Sequence, residues 1–241
     1  MPKAVYQEIY QELRGSIERG EIAYGAFLPS ENELTAQYHC SRSSVRRALS
    51  QLVADGYVQS QQGKGVRVIR DPELDVTRGY DGLETFVEMA VRLGFEPGTR
   101  CISLERVTAD RELAKLTGFP SGTKLVRTLR ARSANGQVVS TDDSYILEDI
   151  ASGLTPEIVE GGVYNYLEGE LGIGVATSRR IITVEAVTEA DRRYIDLGGF
   201  NAVAVMRSHT FDTDGNMIEF TETHQRPGFF SQYTTVMRSQ R

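Results

Sequence analysis

The sequence predicts an α+β fold in two domains, and three observations lead to this expectation. The first 70 residues combine helical periodicity with one glycine-rich hairpin signal, whereas the remainder alternates short helices with long strands. The length of 241 residues can bury one large core or two modest ones, and typical domain sizes favour two. Residues 71–82 are rich in Gly and Pro and poor in bulky apolar side chains, which is typical of a linker. We therefore predict domains at 1–70 and 83–241.

The composition excludes several classes of protein. No apolar run approaches the roughly eighteen residues that span a bilayer, and the N-terminal residues lack the apolar core of a signal peptide. Cys40 and Cys101 are the only cysteines, and the chain has three scattered histidines. The sequence therefore predicts no disulfide, no metal site and no cofactor. This cysteine usage suits a reducing compartment, so we expect a cytoplasmic protein.

The charge is distributed unevenly along the chain. The net charge is −6, yet residues 1–70 carry nine Lys and Arg against seven Asp and Glu, a net of +2. Between residues 41 and 70 a single acidic residue, Asp55, accompanies six basic ones. These six are Arg42, Arg46, Arg47, Lys64, Arg67 and Arg70. A basic segment on an acidic chain indicates a local surface for an anionic partner.

Three helices and a hairpin are predicted in the first domain. The first helix, residues 4–19, has apolar side chains at every fourth position. Ser30 and Glu33 fit the capping box S-x-x-E at the start of a second helix, and Ser41 is suited to cap a third. A strand on either side of the turn QQGKG, residues 61–65, completes the domain. This order of elements is that of a winged helix-turn-helix.

Two turn dipeptides organise the second domain. Asn135-Gly136 and Asp214-Gly215 each separate two strand-like runs, which predicts two antiparallel hairpins. The predicted elements are, in order, a helix ending at Gly94, a strand at 100–108, a helix after Asp110, strands at 124–133 and 137–146, a helix at 164–171, a strand at 175–187, a helix at 189–197, and strands at 202–213, 217–226 and 233–237.

The third helix has the chemistry needed to read DNA. Arg42 and Arg46 are four residues apart and share a face, and a guanidinium can read guanine through two parallel hydrogen bonds. Ser41, Ser43 and Ser44 are short donors suited to phosphate oxygens. The alternative interpretation is that these residues form an ordinary solvated helix face. The basic helix occurs together with a short helix–helix turn and a glycine hairpin, however, and this combination favours DNA binding.

The tip of the hairpin offers a second predicted contact. Gly63 and Gly65 allow the backbone to approach a groove closely, while Gln62 and Lys64 can reach minor-groove acceptors or phosphate. The alternative interpretation is an ordinary surface turn.

The runs LPSENEL, SRSSVRRAL, GYV and QGKG resemble the N-terminal domain of GntR-type bacterial transcription regulators, across residues 4–70. This resemblance implies a dimer bound to double-stranded operator DNA with a short palindrome. It also implies DNA contacts at Ser41, Arg42, Ser44, Arg46, Gln62 and Gly63. Asn32 stands where many members have an arginine that touches DNA, and an asparagine can still hydrogen-bond at that position.

Two arginines of the second domain suggest an anion site. Arg130 and Arg132 lie two apart on a predicted strand, so they share a face where two guanidiniums can grip one phosphate. Carboxylates on neighbouring strands suit sugar hydroxyls. The alternative interpretation is ion pairing across an antiparallel sheet.

Residues 80–238 resemble the effector-binding (UTRA) domain of the HutC-type subfamily, which shares its fold with chorismate lyase. The runs VYNYLEGELGI, VTEADRRYIDL and FTETHQR are similar to trehalose operon repressors. The resemblance implies that the chain represses sugar utilisation and that trehalose-6-phosphate is the effector. The phosphate is then expected at Arg130 and Arg132 with support from Arg179, and the sugar hydroxyls are expected at Asp142, Tyr164 and Glu219.

Three alternatives remain at this point. Another sugar phosphate such as glucosamine-6-phosphate would also suit the two arginines, although Gly162 stands where amino-sugar-sensing relatives tend to have serine. A lyase-like enzyme would share the fold, but the chain has no Ser-His-Asp or Cys-His pattern and no metal spacing. The second domain could also serve dimerisation alone. We expect no catalysis and a homodimer joined through the second domains.

Overall fold

The structure is a computed structural model that describes residues 5–71 and 83–231. The chain divides into two compact units, which contain residues 5–71 and 83–231 respectively. Most of the predicted linker, residues 72–82, and the predicted strand at 233–237 lie outside the described residues. Within those residues no helix is both long and apolar enough to cross a membrane.

The first unit contains the three predicted helices and the predicted hairpin. They are α1 (Val5–Glu18), α2 (Glu31–Gln37), α3 (Arg42–Ala54), β1 (Val58–Gln61) and β2 (Gly65–Val68). An isolated bridge joins Phe27 to Arg67 of β2 and extends the small sheet. The winged helix-turn-helix predicted from the sequence is therefore confirmed.

Local signals set the ends of the helices in this unit. The predicted capping box is present, since the Glu33 amide donates to the Ser30 hydroxyl and the Ser30 amide donates to the Glu33 carboxylate. His39 takes a positive φ of 46° in the turn between α2 and α3. Inward-facing side chains of α1, α2, α3 and the wing then form one core, whose members include Ile9, Leu34, Val45, Leu52 and Val68.

The second unit contains six strands and several short helices. In chain order the elements are α4 (Phe86–Leu93), β3 (Pro97–Thr108), α5 (Arg111–Thr117), β4 (Lys124–Ala134), β5 (Gln137–Leu147), α6 (Glu148–Ala151), α7 (Pro156–Gly161), α8 (Val163–Gly169), β6 (Val175–Ala186), α9 (Glu189–Tyr194), β7 (Ala202–Asp212) and β8 (Met217–Gln225). The strands form one antiparallel sheet in the order β3-β4-β5-β8-β7-β6. The α+β class is therefore confirmed.

Both predicted hairpins lie in this sheet. At the β4–β5 turn Asn135 has φ 51° and Gly136 has φ 80°, and two positive φ angles are what the two-residue turn of a twisted hairpin requires. The second hairpin pairs β7 with β8, and β5 pairs with β8 to join the two hairpins. Helices α6 and α7 were not predicted, because their residues are few and are interrupted by Gly and Pro.

The two faces of the sheet differ in what covers them. On one face, α6, α7 and α8 pack against Val126 and Ile146 of the central strands. On the other face, residues around α5 pack against Leu125, Tyr145 and Phe220. Side chains alternate between faces along each strand, so the face beneath α8 carries the even-numbered residues of β4 and β5. We call it the α8 face.

Candidate functional site

The N-terminal part of α3 presents two outward-facing arginines. Arg42 is exposed and forms no ion pair or hydrogen bond within the described ranges. The Nε atom of Arg46 lies 2.9 Å from Glu31 Oε2, and 66% of the Arg46 side chain remains exposed. An exposed pair of this kind is weak, so DNA phosphate or a base can compete for the guanidinium. Asn32, next to Glu31 in α2, is exposed as well.

The serines at the start of α3 cap the helix. Ser41 is its N-cap, and its Oγ accepts from the Ser44 amide at 3.3 Å. The same Oγ lies 2.8 Å from Ser43 Oγ and 3.0 Å from Ser44 Oγ. A capping hydroxyl still has one proton to donate, so Ser41 can hold the helix end and contact a phosphate.

Arg47 has a different role from its neighbour Arg46. Its guanidinium lies 3.9 Å from the centroid of the Tyr6 ring in α1, close enough for a cation–π interaction. One residue along a helix is a rotation of about 100°, which turns Arg47 away from the face shared by Arg42 and Arg46. The sequence predicted a basic helix but did not show which of its arginines packs within the domain and which faces outward.

The wing tip has the predicted form. Gly63 and Gly65 have φ values of 74° and 111°, which most other residues rarely adopt. Gln62 and Lys64 are exposed at the same turn. Arg67, on the second wing strand, donates from Nε to the Gly25 carbonyl and fixes the base of the hairpin.

The two arginines of β4 meet one aspartate of β5. Arg132 Nε lies 2.8 Å from Asp142 Oδ2, and Arg130 Nη2 lies 3.4 Å from the same oxygen. Thr223 of β8 donates to Asp142 Oδ1 at 3.0 Å. All three charged groups are largely buried, with 7–12% of each side chain exposed. The structure thus brings Arg130, Arg132 and Asp142 together on the α8 face.

Burial and the neighbouring charges both shift the pKa values of this cluster. Burial raises the pKa of the Asp142 carboxyl, but the positive charges of Arg132 and Arg130 outweigh it and hold the pKa below its usual value of 3.8. Burial is the main cause that lowers the pKa of Arg132, and repulsion from Arg130 lowers it further. Asp142 is therefore ionised and serves as the counter-ion of two arginines that repel each other.

A second polar group lies on the same face beneath α8. Tyr164 donates its hydroxyl to Glu219 Oε2 at 2.6 Å, and Thr210 Oγ1 lies 3.3 Å from the same hydroxyl. Glu219 is 2% exposed. Burial and then the charge of Glu219 raise the pKa of Tyr164 well above its usual value, so the phenol stays protonated and acts as a donor.

Hydroxyl side chains connect the two groups. Arg130 Nη2 donates to Ser144 Oγ at 3.0 Å, and Ser144 Oγ lies 2.9 Å from Thr221 Oγ1. The α8 face therefore combines two arginines, two carboxylates and several hydroxyls, and we call these residues the sheet site. Such a set can bind a ligand that carries both an anionic group and hydroxyls.

One predicted residue lies elsewhere. Arg179 pairs with His209, which pairs with Phe220, and these side chains point to the face opposite the sheet site. The structure therefore does not bring Arg179 to the other five predicted residues, and the expectation that it supports their ligand is corrected. Its neighbour Arg180 is the arginine of β6 that faces the sheet site. Two adjacent arginines on a strand point to opposite faces, so only the strand register distinguishes them.

Both units match known families. Residues 5–68 match the family described as "Bacterial regulatory proteins, gntR family", and residues 92–230 match the UTRA domain. The HTH-type transcriptional regulator TreR of Bacillus subtilis is 33% identical over 218 residues, which cover 90% of this chain and 91% of the relative.

Solved structures show the same architecture. The possible transcriptional regulator YydK of Bacillus subtilis covers 98% of this chain and 100% of its own with a TM-score of 0.76 at 22% identity, a likeness of fold. The effector-binding domain of the Bacillus subtilis trehalose repressor (TreR) covers 59% of this chain and 99% of its own, with a TM-score of 0.53 and 26% identity.

Proposed function

Because this chain belongs to the GntR family of bacterial transcriptional regulators and carries the UTRA domain of its HutC-type members, we propose that it represses a trehalose-utilisation operon and that trehalose-6-phosphate is its effector. It is a transcriptional regulator, and regulators of this family bind operator DNA and take small-molecule effectors through the UTRA domain. Its homologues and its fold are those of regulators and not of enzymes. We further propose that the effector releases the protein from its operator and that the protein acts in the cytoplasm.

The observation that carries the proposal is the composition of the sheet site. Arg130 and Arg132 supply guanidiniums for a phosphate, while the Tyr164–Glu219 pair supplies a donor and an acceptor for sugar hydroxyls. A ligand must compete with Asp142 for the arginines, and a phosphate dianion carries more charge than one carboxylate. The likeness to the trehalose repressor TreR of Bacillus subtilis supports trehalose as the sugar.

On the DNA side the proposal assigns each element a role. The exposed Arg42 and Arg46 read base edges in the major groove, and the wing tip at Gly63 and Lys64 contacts the minor groove or its phosphates. Asn32, Ser41, Ser44 and Gln62 contribute further contacts. The protein acts as a homodimer whose two recognition helices match the half-sites of a palindrome.

The effector controls operator binding because it has different affinities for two conformations of the second unit. The effector binds one conformation of the second unit more tightly than another, and this shifts the population of dimers whose wings have the spacing that the operator requires. The segment 71–82 transmits the change as the link between the units. The same coupling acts in reverse, so operator DNA must weaken effector binding by the same factor.

A gel shift on the DNA upstream of the protein's own gene tests the proposal. Saturating trehalose-6-phosphate is expected to lower operator affinity at least five-fold, whereas unphosphorylated trehalose has no effect at the same concentration. Unchanged affinity in the presence of trehalose-6-phosphate would refute the effector assignment. If glucosamine-6-phosphate lowers the operator affinity and trehalose-6-phosphate does not, the effector is a sugar phosphate but its sugar is not trehalose.

Variants on one strand provide a matched comparison. Arg130→Gln is expected to bind the operator like the wild type but to lose the response to trehalose-6-phosphate. Arg127→Gln is the control, because Arg127 lies on the same strand with its side chain on the opposite face, where it pairs with Asp143. If both variants respond like the wild type, the sheet site does not bind the effector.

A further inference from the structure

A row of polar side chains crosses the sheet and ends at Arg180. The strand register pairs these residues in sequence: Thr128 with Ser144, Ser144 with Thr221, Thr221 with Ser208, and Ser208 with Arg180. No register shift interrupts these pairs. Directly paired residues of an antiparallel sheet share a face, so the four hydroxyls and the guanidinium all lie on the α8 face.

Among the residues that the structure describes, no carboxylate pairs with the Arg180 side chain. Its Nε atom is buried and finds no hydrogen-bond acceptor in the ranges that the structure describes, and Arg180 forms no ion pair there. In contrast, Arg130 and Arg132 share the carboxylate of Asp142. Arg180 as a whole is half-buried, but a buried N–H donor without an acceptor is costly, because it loses hydration without gaining a hydrogen bond. The missing acceptor is therefore expected to come from a ligand.

Arg130 approaches the same row from its other end. Its Nη2 atom reaches Ser144, while its own Nε is also buried without an acceptor among the described residues. Three strand spacings, roughly 14 Å in total, separate the backbones at Ser144 and Arg180. An extended arginine side chain covers about half of that distance. The two guanidiniums can therefore approach one small group that lies over Thr221 and Ser208.

The charge balance identifies that group as an anion. Arg130 and Arg132 carry two positive charges, and Asp142 and Glu219 carry two negative ones, so these four residues are neutral together. Arg180 adds a positive charge that none of them offsets. We infer that Arg180 is a third arginine of the sheet site and binds the anionic group of its ligand together with Arg130, over the hydroxyls of Thr221 and Ser208.

This inference rests on the proposed function for the identity of the ligand but can be tested without it. The full-length Arg180→Gln variant removes the charge and retains polar atoms, and Arg179→Gln is the matched control on the opposite face. Calorimetric titration with trehalose-6-phosphate is expected to show at least ten-fold weaker binding for Arg180→Gln and wild-type binding for Arg179→Gln. Binding of unphosphorylated trehalose is expected to be equal in all three proteins.

The melting temperature without ligand separates a binding role from a structural one. An arginine with no ion pair or hydrogen bond among the described residues contributes no polar contact to the fold, so Arg180→Gln is expected to melt at or above the wild-type temperature. A lower melting temperature would indicate that Arg180 supports the fold and would overturn the inference. Equal loss of affinity for trehalose and trehalose-6-phosphate would also overturn it, because the effect would then not depend on the anion.

Inorganic phosphate distinguishes this inference from the proposed function. A ligand that binds only the folded protein raises its melting temperature, so millimolar phosphate is expected to stabilise the wild type and not Arg180→Gln. If the wild type responds to phosphate but to no sugar phosphate, the proposed effector is wrong and the anion site stands. If Arg180→Gln binds trehalose-6-phosphate as tightly as the wild type, the proposed function stands and the inference fails.

Discussion

The guanidinium of Arg132 lies over the ring of Phe86, with 5.2 Å between its central carbon and the ring centroid. Phe86 is the first residue of α4, and its ring also contacts those of Phe95 and Phe229, at centroid distances of 5.4 and 6.3 Å. Arg132 additionally donates to Thr99 and Asp142. One side chain of the sheet site therefore packs directly on the helix that follows residues 72–82 in the chain.

We predict that Phe86→Leu weakens the response of the protein to its effector. Leucine retains an apolar contact but removes the aromatic face, which contributes about 0.5–2 kcal/mol to a cation–π pair. Arg132 then has less to hold it in place, and effector affinity is expected to fall several-fold while operator affinity without effector is unchanged. Calorimetry and gel shifts measure the two quantities. Phe95→Leu is the control, because Phe95 belongs to the same ring cluster but Arg132 lies over the ring of Phe86.

We predict that Arg42→Ala weakens operator binding. A side chain that reads a base edge through two hydrogen bonds contributes about 1–3 kcal/mol of discrimination, which corresponds to roughly 5- to 150-fold in affinity. Binding to random DNA is expected to fall less. Arg111→Ala, which removes an exposed arginine at the start of α5, controls for the change in net charge. Equal affinity of wild type and Arg42→Ala for the operator would show that α3 does not read the DNA through this residue.

The sequence predicts those parts of the fold that local chemistry determines. The Ser30–Glu33 capping box favours a helix start through local contacts alone, because both side chains satisfy backbone amides within one turn. Asn135-Gly136 likewise specifies its hairpin through two residues that tolerate positive φ. Arg130 and Arg132 share one face of β4 because side chains on a strand alternate with a period of two residues. None of these predictions needs information from distant parts of the chain.

Other features of the sheet site depend on contacts between residues that are distant in the sequence, and the sequence does not predict them. Whether Arg179 or Arg180 faces the sheet site is decided by the register between β6 and β7, where a register shift occurs between Val175 and Thr177. A slip of one residue exchanges the two faces, and no local signal in the sequence reports it. The role of Asp142 as counter-ion to both arginines likewise depends on the pairing of β4 with β5.

We predict that the stability of the second unit depends on the protonation of His224. Its Nδ1 lies 2.7 Å from Asp191 Oδ1 and its Nε2 lies 3.2 Å from Glu222 Oε1. The hydrogen bond to Glu222 raises the pKa of His224 above 6.5, burial opposes this, and the charge of Asp191 adds to the rise. A raised pKa in the folded state means that protonation stabilises the fold.

The stabilisation is therefore complete below about pH 6.5, the value for an unfolded histidine, and is lost as the pH rises through the higher folded value. The melting temperature of the wild type is expected to exceed that of His224→Gln most at pH 6 and progressively less towards pH 9. His39→Asn, at an exposed turn of the first unit, is expected to leave this profile unchanged. A constant difference between wild type and His224→Gln across this range would exclude the protonation effect.

The hydrogen bond from Tyr164 to Glu219 yields a further prediction. Tyr164→Phe removes the donor from a carboxylate that is 2% exposed, and a buried charge that loses such a bond costs about 1.5–3 kcal/mol. The melting temperature of the second unit is expected to fall by several degrees, and scanning calorimetry measures it. The high pKa of Tyr164 keeps its proton in place, so this loss is expected to be equal at pH 6 and pH 9.

The same change tests whether the pair binds sugar. If Tyr164 and Glu219 contact sugar hydroxyls, Tyr164→Phe must weaken trehalose-6-phosphate binding about ten-fold while leaving the binding of inorganic phosphate unaltered, because the anion lies at the arginines. Tyr166→Phe is the matched control on α8, since the Tyr166 hydroxyl makes no hydrogen bond to any residue that the structure describes. Wild-type affinity for trehalose-6-phosphate in Tyr164→Phe would show that the pair stabilises the fold without contacting the effector.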